Sequence, residues 1–333
     1  MEIKVGINGF GRIGKLVFRI IEDMRLIGKK IRVVAINCPS VTSENLEYLI
    51  NYDSIHHLNK YKIESNDNYI LVNNQKIILL RDRDPNNLDW NKSGVEYIID
   101  SSGVFKTMDK ASLHLKSGIR KVIVTCPSKD IPMFVVGVNT DKYQGQNIIS
   151  NASCTTNCLA PFAKVINDEY EIINGFISTV HSITSSQNTL DGHASKNIRI
   201  GRSSNNIIPS TTGASQAIGK IIPELNGKIN GLSYRVPTDN VSIIDFSFTT
   251  KKSTSIEEIL STLQEHSNTD FKGVIEISDL ELVSSDFCSN SHSCIIDKKL
   301  CQEIDNNFFK IVAWYDNEWG YSNRVVDLLL LTI

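Results

Sequence analysis

The side chains best suited to reaction at neutral pH are two thiols and one imidazole. The stretch Asn151 to Cys158, N-A-S-C-T-T-N-C, sets Cys154 and Cys158 four residues apart among small hydroxyl-bearing residues. Spacing alone admits metal ligation, redox pairing, core filling, or one nucleophile with a bystander. Zinc would need two further ligands, and no C-x-x-C or closely spaced histidine pair accompanies these cysteines, so no metal site is expected. Asn151 or Ser153 is suited to cap a helix that begins near Cys154. That places the thiol at the positive end of the helix dipole, where a thiolate is stabilised. Cys158 then falls one turn further in, more buried and less reactive. His181 ends the apolar run F-I-S-T-V-H from Phe176, where it emerges at a strand terminus, and imidazole titrates in the right range for a thiolate–imidazolium pair. By pattern alone, a single histidine is equally a surface or satisfied core residue.

The elements that must position these groups follow from periodicity. A chain of 333 residues exceeds the usual size of one hydrophobic core, so two domains are expected. From Met1 to about Ser150, strand-like runs alternate with helical spacing. Ile3 to Ile7 precedes a helix marked by Ile13, Leu16, Val17, Ile20 and Ile21, and Arg32 to Ile36 closes a βαβ unit. Further strand-like runs are Ile77–Leu80, Tyr97–Asp100 and Lys121–Thr125. After Cys154 the segments Asn174–His181, Val241–Phe248 and Phe308–Tyr315 are longer and β-rich, with an amphipathic helix around Ser255 to Glu265. The expected fold class is α/β: a Rossmann-type doubly wound parallel sheet, plus an α+β catalytic domain with a largely antiparallel sheet. The expected boundaries are 1–153 for a dinucleotide-binding domain and 154–317 for a catalytic domain, with a C-terminal helix of about 318–333 packing back on the first.

Gly9, Gly11 and Gly14 form G-x-G-x-x-G in the context that the motif requires, after a strand and opening a helix within one βαβ unit. Glycines permit the tight turn and let backbone approach a pyrophosphate, whose charge the helix N-terminus attracts. NAD sites usually carry an acid at the end of the second strand. Here that strand ends A-I-N-C-P-S, with Asn37 and Cys38 in its place and Ser40 just beyond. Without the carboxylate a 2′-phosphate meets no fixed repulsion, and Arg83 is a candidate to approach it, so use of both NAD and NADP is expected. A small residue lining an ordinary NAD pocket is the alternative.

Composition removes other classes. A formal charge of −2 offers no basic field for nucleic acid, and no run of about 18 apolar residues could span a membrane. The N-terminus enters an alternating apolar segment at once, which leaves no room for a secretory signal, and seven scattered cysteines read as reduced thiols. A cytoplasmic location is expected.

Seven stretches together resemble the glyceraldehyde-3-phosphate dehydrogenase family. They are Ile7–Gly14 (I-N-G-F-G-R-I-G), Ser150–Pro161 (S-N-A-S-C-T-T-N-C-L-A-P), His181–Gln187 (H-S-I-T-S-S-Q), Asn206–Ala214 (N-I-I-P-S-T-T-G-A), Pro223–Lys228 (P-E-L-N-G-K), Arg235–Thr238 (R-V-P-T) and Trp314–Ser322 (W-Y-D-N-E-W-G-Y-S). They recur in the family's order over nearly the whole chain. The resemblance implies a phosphorylating aldehyde dehydrogenase that uses NAD or NADP, glyceraldehyde 3-phosphate and inorganic phosphate, and is usually a homotetramer. By position, Cys154 matches the nucleophile and His181 its acid/base partner. Asn317 matches the residue that orients the nicotinamide carboxamide, with Tyr321 nearby. Ser153, Thr155, Thr212 and Gly213 match the site of the attacking phosphate, and Thr184 and Arg235 match residues that hold the substrate's own phosphate. Asn8, Arg12, Ile13, Ser102, Gly103 and Thr125 fall on the nucleotide path.

The chain departs from the family pattern in three places. Cys38 replaces the aspartate common in NAD-preferring members, and Ser186 stands where many bacterial members have aspartate. The loop from Arg202 to Asn206 is one residue shorter than in most, which obscures the roles of Arg199 and Arg202. Three competing functions stand beside the main reading. An erythrose-4-phosphate dehydrogenase usually lacks the T-T-G element that Thr211 to Gly213 retain. An idle nucleotide-binding scaffold has no need of Cys154, His181 and Arg235 together. A redox sensor built on Cys154 and Cys158 is compatible with the enzyme, but nothing in the sequence selects for it.

Overall fold

The run Ile3–Asn8 (β1) is apolar on both faces, as a strand in a parallel sheet must be, and Val5 and Ile7 are fully buried. The computed structural model of the chain describes residues 2–57, 60–185, 187–192 and 198–333; Ser186 lies outside them. Contacts divide the chain into one unit of 1–134, 143–152 and 325–333 and a second of 135–142 and 153–324.

In the first unit, β1 leads into α1 (Arg12–Leu26), which buries Leu16, Val17, Ile20 and Ile21 along the stripe read from the sequence. β2 (Ile31–Asn37), α2 (Ser43–Asn51), β3 (Ile63–Asn66), β4 (Tyr69–Val72), β5 (Gln75–Leu80), β6 (Tyr97–Asp100), α3 (Met108–Ser112), β7 (Lys121–Val124) and β8 (Ile148–Ser150) follow. The sheet order is β3-β4-β5-β2-β1-β6-β7-β8. The six strands from β5 to β8 run parallel, and β3 and β4 extend the β5 edge antiparallel. The order turns at β1, and ligands of doubly wound sheets bind at the carboxyl ends of the strands beside such a switch point.

The second unit holds α4 (Cys154–Tyr170), β9 (Ile172–His181), β10 (Ile208–Thr211), α5 (Ala214–Ile221), β11 (Ile229–Arg235), β12 (Ser242–Thr250), α6 (Ile256–Asn268), β13 (Ile275–Ser278), β14 (Cys294–Asp297), β15 (Gln302–Asp305), β16 (Phe308–Tyr315) and the start of α7 (Trp319–Leu331), which passes into the first unit at Val325. Its sheet runs β10-β11-β9-β12-β16-β14-β13 with β15 beside β16, and only β9/β11 and β13/β14 pair parallel. Ser255 caps α6 through a capping box with Glu258, the signal that starts a helix before an apolar run. Phe162 of α4 meets Phe246 at 6.1 Å, Phe246 stacks on Phe248 at 4.8 Å, and Phe248 meets Phe309 at 5.8 Å. This aromatic row fixes α4 on one face of the sheet, while Phe176, Leu232 and Val180 lie exposed on the other, at 70%, 49% and 38%. No helix among the described residues is long and apolar enough to cross a membrane.

The three glycines of the first turn are not equivalent. A Cβ on Gly14 would lie 2.2 Å from the Gly9 carbonyl oxygen, whereas one on Gly11 meets nothing within 4 Å. Gly14→Ala should destabilise the chain by about 1–3 kcal/mol through overpacking. Gly11→Ala should stay within about 0.5 kcal/mol. Denaturant midpoints of the two variants beside the parent check this, and equal losses would refute it.

Candidate active site

Cys154 is the first residue of α4. Ser153 caps the helix: its extended backbone turns the chain, its Oγ accepts from the Thr156 N–H at 3.1 Å, and its hydroxyl shares a 2.6 Å bond with Thr156 Oγ1. Two residues before the thiol, fully buried Ala152 adopts φ +53, a region that non-glycine residues seldom enter, and its N–H donates to Ser150 Oγ at 3.0 Å. Cys158 lies one turn inside, fully buried, and burial pushes its thiol well above the usual range.

Cys154 Sγ lies 3.5 Å from His181 Nε2. The partner arrives by strand register, because β9 and β11 pair in parallel with His181 opposite Arg235 at their carboxyl ends. His181 Nδ1 lies 2.8 Å from the Ser182 carbonyl oxygen, and Arg235 Nη1 lies 2.8 Å from Nδ1 and 3.3 Å from the same carbonyl. Nδ1 thus faces an acceptor in the Ser182 carbonyl and a donor in Arg235; in the tautomer that carries its proton on Nδ1, toward the carbonyl, Nε2 is bare toward the thiol. Ionising either group alone is unfavourable. Burial pushes the Cys154 thiol up, against the Arg235 charge and the Thr155 hydroxyl and N–H. Burial and then the Arg235 charge press His181 down to about 3, against its bond to Ser182. Passing the proton from Sγ to Nε2 costs less than either, because each new charge faces the other and the thiolate sits at the amino end of α4. The thiolate–imidazolium pair expected from the sequence has its two groups within reach, while burial and the Arg235 charge set the lone imidazole well below its ordinary range.

Behind the pair stands Tyr315, which the sequence reading quoted without a role. Its hydroxyl bonds Thr155 Oγ1 at 3.0 Å and Thr179 Oγ1 at 2.9 Å, and its ring meets His181 edge to face at 6.0 Å. Thr155 is therefore linked to the pair through one residue. Asn317 accepts from Ser182, the residue after the histidine, and Tyr321 is buried on α7. Thr184 lies in the loop after β9, and Thr212 and Gly213 form the loop between β10 and α5. Thr184 N–H and Oγ1 donate to Gln187, Thr212 Oγ1 accepts from the Ala214 N–H, and Gly213 precedes α5 with open space where a Cβ would stand. Arg202 reaches outward to Asp191 at 3.4 Å, with both side chains exposed.

In the first unit, the strand ends form a cradle. Gly9 has φ +89, and a Cβ there would strike the Ser102 backbone at 2.7 Å. Behind the turn runs a row of buried bonds: Asn37 donates to Asn8 at 2.7 Å and to the Asp82 carbonyl at 2.9 Å, while Asn8 and the Ser102 hydroxyl each donate to Asp100 at 2.7 Å. Asn37, expected to face the cofactor, is engaged within this row. Asp100, missed by the sequence reading although it ends a strand that was read, has its carboxyl raised to about 6 by burial, against the bonds from Ser102 and Asn8. Thr125 N–H donates to the Asp100 carbonyl, and Gly103 adopts φ +70. Arg12 opens α1, followed by Ile13, and pairs with buried Asp53 at 2.8 Å, which also takes Lys15 at 2.7 Å. Asp53 sits in a loop with no sequence signal. The N-terminus of α1 has neither a side-chain cap nor an acid in its first turn, and Gly11 opens the space before it, so the turn fits a pyrophosphate. Beyond β2, Cys38 is half-buried and Arg83 Nη2 approaches Ser40 Oγ at 3.4 Å.

Residues 3–108 match the family model described as glyceraldehyde 3-phosphate dehydrogenase, NAD binding domain, and residues 153–317 match its C-terminal domain. The chain belongs to the glyceraldehyde-3-phosphate dehydrogenase family. It is 49% identical over 328 residues, 98% of this chain and 97% of the relative, to glyceraldehyde-3-phosphate dehydrogenase 2 of Drosophila melanogaster. It is 48% identical over 331 residues, 99% of this chain and 97% of the relative, to glyceraldehyde-3-phosphate dehydrogenase of Podospora anserina. Within the glyceraldehyde-3-phosphate dehydrogenase match, the thiol–imidazole pair falls in the C-terminal part and the glycine turn in the NAD-binding part, as an NAD-dependent oxidoreductase requires.

His181→Asn removes the proton acceptor from a half-buried thiol. The inflection in the rate of Cys154 alkylation by iodoacetamide should then move up by about one pH unit or more. Peptide mapping across a pH series reads this out; an unmoved inflection, or faster labelling of Cys158, would refute the pairing.

Proposed function

We propose that the chain is a phosphorylating glyceraldehyde-3-phosphate dehydrogenase, which oxidises D-glyceraldehyde 3-phosphate with NAD or NADP and inorganic phosphate to 1,3-bisphosphoglycerate. The observation that carries the reading is the Cys154 Sγ–His181 Nε2 approach at 3.5 Å at the start of a helix, with Arg235 on the same imidazole. Cys154 Sγ adds to the aldehyde carbon as its proton passes to Nε2. The oxyanion so formed is met by the imidazolium N–H and the Cys154 backbone N–H. A bound NAD supplies the acceptor for the hydride. Cys154 then carries the acyl group as a thioester; a phosphate oxygen attacks its carbon, the C–S bond breaks, and the thiolate is regenerated. Arg235 and Thr184 take the substrate phosphate, and Ser153, Thr155, Thr212 and Gly213 take the attacking one. An anion on Arg235 offsets the charge that presses His181 down, so substrate binding itself favours the protonated ring.

The glycine turn, Asn8, Arg12, Ile13, Ser102, Gly103 and Thr125 serve the dinucleotide, and Asn317 with Tyr321 serves the nicotinamide. Dual use of NAD and NADP is supported by Cys38 in place of a carboxylate and by the approach of Arg83 to Ser40. Self-association into a homotetramer is supported by the apolar sheet face of Phe176, Leu232 and Val180. The retained Thr211–Gly213 element favours this activity over erythrose-4-phosphate dehydrogenase, and initial rates with both aldehydes separate the two.

Cys154→Ser should abolish turnover while Cys158→Ser keeps most of it, and His181→Asn should lower hydride-transfer rate by about 10²- to 10⁴-fold. Initial rates with glyceraldehyde 3-phosphate and phosphate test these variants, and an active Cys154→Ser enzyme would end the proposal. The same assay compares the cofactors. Cys38→Asp should shift the ratio of kcat/KM toward NAD, because a carboxylate repels the 2′-phosphate and accepts from the ribose. A parent that already rejects NADP as strongly as this variant would show that another position sets the choice.

A further inference from the structure

Asn317 follows β16, and its side-chain oxygen is held from two sides. Ser182 Oγ donates to Asn317 Oδ1 at 2.9 Å and Ser242 Oγ donates to the same oxygen at 2.8 Å. Strand register brings the three together, with Val180 opposite Ile243 and Ser242 opposite Tyr315. All three side chains are buried. Ser242 Oγ also accepts the Ser182 backbone N–H at 3.1 Å, so its own proton points at Asn317. The opposite flip of the amide would turn its NH₂ group toward both hydroxyls and give up the two O–H···O bonds, with Ser242 Oγ already accepting a backbone N–H. The amide is therefore set with its oxygen inward and its NH₂ group as the outward donor. Backbone strain marks the same place: Val241, buried and β-branched, holds φ +64 immediately before Ser242.

We propose that Ser182 and Ser242 are positioning residues. By occupying Asn317 Oδ1 they leave its NH₂ group as a fixed donor to the carbonyl oxygen of the nicotinamide carboxamide, so that one carboxamide orientation is accepted. The inference rests on the reading of Asn317 as the nicotinamide contact. Without the two hydroxyls the amide rotates freely and presents its oxygen as often as its nitrogen, which loses one directed hydrogen bond.

The experiment compares the parent, the Ser182→Ala/Ser242→Ala double variant, Asn317→Ala and the triple variant. For each, KM for NAD, kcat and the inhibition constant of ADP-ribose are measured, the last because it keeps the diphosphate and lacks the nicotinamide. The double serine variant should raise KM for NAD about 3- to 10-fold, the worth of one net hydrogen bond. Its ADP-ribose constant should stay within about twofold of the parent, since no contact to that part of the ligand is changed. Asn317→Ala should show the same pattern, and adding the serine substitutions to it should change nothing further. Parental Cys154 alkylation in each variant reports that the second unit is intact. A serine variant with parental KM beside a damaged Asn317→Ala would overturn the positioning role and leave the nicotinamide contact standing. An ADP-ribose constant that rises with KM would reduce the serines to structural support. An Asn317→Ala enzyme with parental KM would remove the nicotinamide contact and the positioning role with it.

Discussion

The approach of the Cys154 sulfur to the His181 imidazole is the constraint on which the second unit depends. A thiol reactive at neutral pH needs its negative charge stabilised, yet burial opposes that charge on Cys154 and opposes a positive one on His181. Each unfavourable charge becomes tolerable only beside the other. That demands a fixed separation, and the 3.5 Å approach is set from opposite directions. The Ser153 cap fixes where α4 begins, and the β9/β11 register fixes where His181 ends its strand. The aromatic row from Phe162 to Phe309 ties that helix to that sheet, so apolar packing distant from the sulfur sets the geometry of the proton.

Both sheets solve a related problem along one rim. Strand ends leave backbone groups and side chains facing that rim, and buried polar groups there must be paired. In the first sheet, Asn37, Asn8 and Asp100 form one continuous row across three adjacent strands. In the second, Ser182, Ser242 and Asn317 do the same across the ends of β9, β12 and β16. Such rows rigidify the rim, and they also decide which hydrogen-bonding groups remain for a ligand. Asn37 shows the consequence, since its amide donates inside the row to Asn8 and to the Asp82 carbonyl.

The parts legible in the sequence were those written in local chemistry. The period of α1, the strand runs at β5, β6 and β7, the capping signal at Ser153, the amphipathic stretch of α6 and the glycine turn each depend on residues within a few positions of one another. The pairing of His181 with Arg235 depends on a register between strands 54 residues apart, for which a single sequence holds no local mark. Tyr315, Asp100 and Asp53 were missed for the same reason. Each is a polar group whose importance lies in partners brought from elsewhere, and each sits in a stretch where its type alone is unremarked. The low titration of His181 rests on burial and the Arg235 charge, both tertiary, and so is not written in the residue type.

Two non-glycine residues in the left-handed region, Ala152 and Val241, stand immediately before Ser153 and Ser242, the residues from which the helix cap and the amide bond are made. Glycine would relieve the torsional strain at either place. It would also widen the conformations open to the chain before folding and remove a buried side chain: Val241 packs in a cluster with Phe287 and Ile295, and Ala152 is fully buried. The strain is therefore held by packing, and packing of this kind fixes the direction in which the next residue leaves. A hydroxyl that must meet an acceptor within a few tenths of an ångström gains more from a stiff, strained junction than from a relaxed and permissive one, because its hydrogen bond is directional and weakens steeply with misalignment.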